Sequence, residues 1–230
     1  MVNIARLTPI AGRAGHDGVH RVWASARTRA PRRIAPRRGL TTLAGTVLWV
    51  VLGVAASADG ETISGLRAAE PQPEAARLKP GLAVQYTYAI MNHVDEMKGR
   101  QFEPGSPILH LDWVMGYGRV LTSQAHEGVG AILSGFIQFE KPGVYGVNVT
   151  SNDGVRLEIG SKLIHEDPGV HSDTTSDRID LKIEQPGWYP ITITYFQKRY
   201  TATLVVRWIG PGERGKLQPV APRALAHIPQ

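Results

Sequence analysis

Cysteine is absent from the 230 residues of the chain. Disulfides, thiolate nucleophiles and cysteine-ligated zinc or iron–sulfur centres are therefore excluded. The compartment is not, because an exported domain with a sufficient core needs no disulfide. Helical periodicity is also missing: no long stretch repeats apolar residues at helical spacing, and there is no internal repeat. Acidic residues are nearly missing from residues 1–58, where nine arginines face Asp17 alone. The other 172 residues hold 17 basic and 19 acidic side chains, so the overall charge of +6 belongs to the leader. The body of the chain has no basic field, which argues against a nucleic-acid partner. What is present is a hydrophobic content of 42%, enough for a core, with 25 glycines and 16 prolines, which suit short strands joined by turns.

The leader has its own logic. Arg21 to Arg38 is rich in arginine and free of acids, and includes Arg32-Arg33 and Arg37-Arg38. An apolar run follows from Leu40 through Val47, Leu48, Trp49, Val50, Val51, Leu52 and Val54, and closes on Ala55-Ala56-Ser57-Ala58. A positive flank, an apolar stretch and an Ala-x-Ala end form the layout of a secretory signal peptide, with cleavage expected after Ala58. The alternative is an uncleaved anchor, since residues 40–58 approach the ~20 residues that span a bilayer. Arg37-Arg38-Gly39-Leu40 is a weak match to a twin-arginine signal. Either main reading places the domain outside the cytoplasm, in the periplasm, at the cell surface or secreted, with membrane contact only through residues 40–58 if these are retained.

Residues 59–80, with Glu70-Pro71-Gln72-Pro73-Glu74, read as a linker. Residues 81–209 carry compact patterning, and residues 210–230, with four prolines, read as an extended tail. Within 81–209 the period is two. Tyr145, Val147 and Val149 share a face; Val155, Leu157 and Ile159 alternate with Arg156 and Glu158; Ile179, Leu181 and Ile183, then Ile191, Ile193 and Tyr195, then Leu204 and Val206 repeat the pattern. Earlier strands are expected at 82–90, 108–114 and 130–139. Turn signals at Lys141-Pro142-Gly143, Asn152-Asp153-Gly154, Gly160-Ser161, Pro168-Gly169 and Pro186-Gly187 separate the strands. Many short strands at this spacing predict an all-β sandwich or barrel.

The segment from Gly143 to Gly160, with its Gly-x-Tyr strand, its Ser151-Asn152-Asp153-Gly154 turn and Val155-Arg156-Leu157, resembles the central signature of the PA-fourteen domain family, named for protective antigen. Lys162-Leu163-Ile164, Gly187-Trp188-Tyr189-Pro190-Ile191, Ile193-Thr194-Tyr195-Phe196 and Leu204-Val205-Val206-Arg207-Trp208 resemble its later strands in order, and Gly81 to Tyr86 its opening strand. The resemblance covers about residues 81–209. It implies an antiparallel β-sandwich of barrel-like shape and a carbohydrate-binding role, often as an accessory domain on surface proteins.

Some sugar-binding members hold calcium with two adjacent aspartates at the turn, where hard oxygen ligands are needed. This chain has Asn152-Asp153 instead, so one carboxylate is replaced by an amide, and Lys198 and Arg199 stand where such members supply oxygens. Asn152 and Asp153 are the metal candidates if calcium binds at all; no other cofactor is expected. The turn chemistry alone is satisfied by a tight hairpin, since Asn and Gly tolerate positive φ. The resemblance places Asn152, Asp153, Lys198, Arg199 and Tyr200 on loops at one end of the sandwich, and these are the candidate ligand-binding residues.

His165-Glu166-Asp167 with His171 and Asp173 match no zinc spacing and read as a solvated polar loop, and His93 with Asp95 and Glu96 read as a smaller polar group of the same kind. Asp112-Trp113 resembles a family position where tryptophan fills core. Asn148-Val149-Thr150 fits a glycosylation sequon but lies mid-strand. No paired-carboxylate, Ser-His-Asp or G-x-S-x-G arrangement is recognisable, so no enzyme activity is expected. The leading expectation is an exported binding module for glycans or envelope polysaccharide. The competing one is a structural or protein-interaction domain of the envelope that has lost the sugar and calcium site. A third is an accessory subunit of an envelope enzyme.

Overall fold

The computed structural model describes residues 62–229; the leader lies outside the described residues. In chain order the strands are β1 (Thr62–Ile63), β2 (Lys79–Pro80), β3 (Ala83–Tyr88), β4 (Glu103–Pro104), β5 (Asp112–Gly116), β6 (Val129–Phe139), β7 (Gly143–Asn152), β8 (Val155–Ile159), β9 (Lys162–Asp167), β10 (Thr174–Thr175), β11 (Ile179–Ile183), β12 (Gly187–Gln197), β13 (Ala202–Ile209), β14 (Gln218–Pro219) and β15 (Leu225–His227). One sheet runs β1-β11-β7-β13-β14, with β10 on β7 and β5 on β13; the other runs β2-β15-β6-β12-β8-β9, with β3 on β6 and β4 on β3. Every pairing is antiparallel except β1 on β11. The sheets do not close into a barrel, so the architecture is a sandwich.

The two-residue period explains the layers. Tyr145, Val147, Val149, Leu181, Ile183, Leu204 and Val206 from the first sheet meet Val84, Tyr86, Leu133, Leu157, Ile191, Ile193 and Tyr195 from the second in one buried cluster. Gly160 and Ser161, both at positive φ (56° and 63°), close the β8–β9 hairpin with the backbone twist that two-residue loops require.

The short peripheral strands were not legible as strands. Residues 59–80, read above as linker, contribute β1 and β2 to sheet edges. Residues 210–230, read as an extended tail, contribute β14 and β15, and β15 pairs directly with β6 through Leu225↔Ile137 and Ala226↔Phe136. Leu225 is buried in the main core. Leu225→Ala is therefore expected to cost about 2 kcal/mol, as buried leucine truncations do, measured by chemical denaturation; a loss near zero would mean the C-terminal segment is not part of the folded unit. Among the described residues no helix is long and apolar enough to cross a membrane.

Candidate functional site

Four connections carry the chain from one sheet to the other at the same end of the sandwich: 117–128 between β5 and β6, 153–154 between β7 and β8, 168–173 between β9 and β10, and 198–201 between β12 and β13. The Asn152-Asp153-Gly154 turn is thus a corner between sheets rather than a hairpin tip. That corrects the hairpin alternative, and the reason is burial: Asn152 is 6% and Asp153 4% exposed, which a hairpin tip in solvent would not produce. The Asn152–Asp153 peptide is cis. Gly154 is needed because a Cβ there would lie 2.5 Å from the Phe196 ring and 2.6 Å from the Pro168 carbonyl oxygen.

Three of these connections enclose a cleft of about 460 Å³ lined by Asn152, Asp153, Val170, His171, Lys198, Arg199, Tyr200 and their neighbours Ser172 and Thr201. All five candidate residues read from the sequence meet here. An adjoining recess is shared through Asn152, Ser172 and Thr201, and brings in Asp173 and the exposed Val114.

The cleft is fixed by hydrogen bonds. The Lys198 N–H donates to Asp153 Oδ2 at 2.7 Å, and Tyr195 O–H donates to the Asn152 carbonyl at 2.6 Å. Asn152 Nδ2 donates to Asp173 Oδ1 at 3.0 Å and to Thr201 Oγ1 at 2.9 Å. The Tyr200 N–H donates to Glu127 Oε1 at 3.1 Å, and the Gly128 N–H to the Lys198 carbonyl at 3.0 Å. Tyr200 sits at φ 70° and is 65% exposed at the rim.

Burial pushes the Asp153 carboxyl above its usual range, and the N–H bonds from Lys198 and His171 only partly offset this. Burial, helped by the Asp153 charge, drives the Tyr195 phenol far up, so it stays a neutral donor. A raised carboxyl pKa means the folded chain holds that proton more tightly than the unfolded chain. Its contribution to stability is greatest below the ordinary carboxylate value and falls as pH rises through the raised one. Asp153→Asn is accordingly expected to be at least as stable as the parent at about pH 7, and to lack that part of the decline with pH. Denaturant titrations at about pH 4 and pH 7 check this; a variant distinctly weaker at neutral pH would show that the charge is compensated.

The other polar groups resolve into supports. His165, Glu166 and Asp167 end β9 rather than forming a loop, as the sequence reading had them. Glu166 Oε1 accepts from Arg156 Nε at 2.7 Å, and Asp167 Oδ2 lies 3.3 Å from His171 Nε2. The Lys98 ammonium and the Arg156 guanidinium hold the Asp95 carboxyl below its usual range. His93 Nδ1 accepts the Asp95 N–H, and Glu96 accepts the Asn92 N–H. This segment holds Asn92, whose Oδ1 accepts from Lys198 Nζ at 2.7 Å. Trp113 stacks on His110 at 4.7 Å and packs against the core. Asn148 lies within β7, as expected, with a buried Oδ1.

Val170, His171, Ser172 and Thr201 are the cleft residues that sequence reasoning left out, with Asp173 beside them in the adjoining recess. His171 and Asp173 had been noticed, but only as a solvated loop; nothing local shows that 168–173 passes between the sheets.

The family model described as PA14 domain matches residues 111–220. Over those residues the chain is similar to the PA14 domain family. The opening strand β3 lies outside that match but pairs with β6 from Ala83↔Ser134 to Tyr88↔Val129. Three solved structures share the fold of the PA14 domain. The PA14 domain of the MpAFP antifreeze protein has 15% identity and a TM-score of 0.53, covering 67% of this chain and 93% of that one. A PA14 sugar-binding domain from an RTX adhesin has 17% identity and a TM-score of 0.50, covering 64% and 98%. The A domain of epithelial adhesin 9 from Candida glabrata, in complex with Galb1-4GlcNAc, has 11% identity and a TM-score of 0.55, covering 70% and 95%. No curated protein matches the sequence.

The donors at this corner do not fit a calcium ion. Asp153 is the one carboxylate lining the cleft, and its Oδ2 already takes the Lys198 N–H. The amide nitrogen of Asn152 is engaged with Asp173 and Thr201. Among the described residues no group of three or more acidic or histidine side chains is gathered for a metal. Calcium favours several charged oxygen ligands, which the described residues do not gather at this turn.

Proposed function

We propose that the protein is an exported, non-catalytic carbohydrate-binding module that engages a glycan through the cleft between the 152–154 corner and the 198–201 connection, without calcium. One observation carries the reading. Five residues, from loops more than forty positions apart in the chain, converge on one cleft whose rim presents an exposed tyrosine beside hydrogen-bonding side chains. A sugar ring stacks on such a face while its hydroxyls pair with polar groups. The sugar-binding and glycan-complexed structures that share the fold support the reading. The adhesin neighbours and the leader's layout support the extracytoplasmic setting.

The test is calorimetric titration of the purified protein with calcium, followed by a glycan panel with and without the ion. Glycan binding with no calcium heat is expected. Binding that appears only with calcium, together with calcium heat abolished by Asp153→Ala, would overturn the metal-free part. No glycan bound under either condition would favour a protein-interaction role for this end of the sandwich, where Val114, Tyr117 and Val170 are exposed.

A further inference from the structure

The way the charged groups around the cleft are partnered indicates what kind of saccharide it takes. Three acids nearby accept hydrogen bonds, Asp153 from the Lys198 N–H, Asp173 from the Asn152 amide and Glu127 from the Tyr200 N–H, and Asp167 lies 3.3 Å from the His171 ring. The two cations of the 198–201 connection form no close ion pair among the described residues. Lys198 Nζ is held only by the neutral Asn92 Oδ1, and exposed Arg199 takes part in no ion pair among the described residues. Both cations flank Tyr200 on a connection tied down at three backbone points, so their positions are set before a ligand arrives.

Resting on the carbohydrate reading above, we propose that the cleft selects an anionic saccharide, with Arg199 gripping its carboxylate or sulfate group and Lys198 adding a second positive charge. A neutral sugar has hydroxyls for the polar groups but nothing for the cations. An acidic sugar gains charge-assisted bonds, which from arginine are often two parallel ones, and these are about twice as strong as neutral hydrogen bonds. Asn152 belongs to the same design. An amide at the corner keeps a further negative charge away from the ligand's anionic group, whereas an aspartate there would repel it.

The experiment is calorimetry on the full chain with oligosaccharides matched in length: one neutral, one built of uronic acids, one sulfated. The parent and Arg199→Gln are compared, with thermal unfolding as the control for folding. The acidic sugars are expected to bind about tenfold or more tighter than the neutral one. Their affinity should fall as salt rises from about 0.05 to about 0.5 M. Arg199→Gln should lose about tenfold on the acidic sugars without a change in unfolding temperature, because the side chain is exposed and unpaired. Binding by the uronate alone or the sulfated sugar alone supports the proposal and names the anionic group. Equal or tighter binding of the neutral sugar, insensitive to salt, overturns it and leaves the carbohydrate reading standing. Binding of none of the three overturns both.

Discussion

Asn152→Asp is expected to weaken the domain by about 3 kcal/mol at neutral pH, the scale of an uncompensated buried charge, and calcium in the millimolar range is expected to restore part of the loss. Asn152 is 6% exposed, and its amide nitrogen stands 3.0 Å from Asp173 Oδ1, next in sequence to the buried Asp153. Aspartate at this position exchanges a donor for a third carboxylate. Two carboxylates about 3 Å apart, one of them buried, cannot both ionise without a cost, so one takes up a proton or the corner opens. The penalty should therefore be largest at high pH and fade as pH falls through the raised carboxylate range. The same three acids form the oxygen-rich set that the parent lacks, and a ligand that binds only the folded state stabilises by about 2.7 kcal/mol at a hundred times its Kd. Denaturant titration of the parent and the variant, with calcium and with chelator, measures both effects. A variant as stable as the parent and indifferent to calcium would show that the corner relaxes freely, and the account of Asn152 as a fixed donor would be wrong.

Phe139→Ala is expected to cost about 3–5 kcal/mol, as buried phenylalanine truncations do, while leaving glycan affinity of the folded fraction intact. Phe139 is fully buried at the end of β6, and its ring meets Tyr145 at 4.8 Å, Tyr189 at 5.2 Å and Trp208 at 5.9 Å. Edge-on aromatic contacts of this kind add to the area they bury. The register explains why the cleft is spared. Gly187 pairs with Phe139 at one end of the β6–β12 ladder, and Gln197 pairs with Val129 at the other, next to Lys198. The aromatic cluster and the cleft thus lie at opposite ends of the same strands. Thermal unfolding and calorimetry on one preparation separate the two readouts. Loss of binding at temperatures where the variant is fully folded would contradict rigid separation of the ends.

The strands that build the core were legible because burial on one face imposes a period of two, visible in Tyr145-Val147-Val149 and in Ile191-Ile193-Tyr195. β15 was not, since Leu225–His227 offers too few residues for alternation and follows Pro222 in a proline-rich stretch. The family resemblance pointed to Asn152, Asp153, Lys198, Arg199 and Tyr200. What it did not reveal was their setting. Asn-Asp-Gly has hairpin chemistry wherever it occurs, and only the sheet partners of β7 and β8 show that here it turns a corner between layers. His171 reaches the cleft for the same non-local reason: its segment leaves β9 in one sheet for β10 in the other. The leader, a secretory signal or anchor by its layout, lies outside the described residues.

The most direct measurement of the central claim is amide chemical-shift mapping of the isotope-labelled protein during titration with a saccharide that the glycan panel identifies. The account predicts that the perturbed amides cluster at Asn152–Asp153, Val170–Ser172 and Lys198–Thr201, with no calcium added. Perturbations centred elsewhere, such as the cleft of Tyr88, Arg100 and Phe102, or none at saturating saccharide, would contradict it.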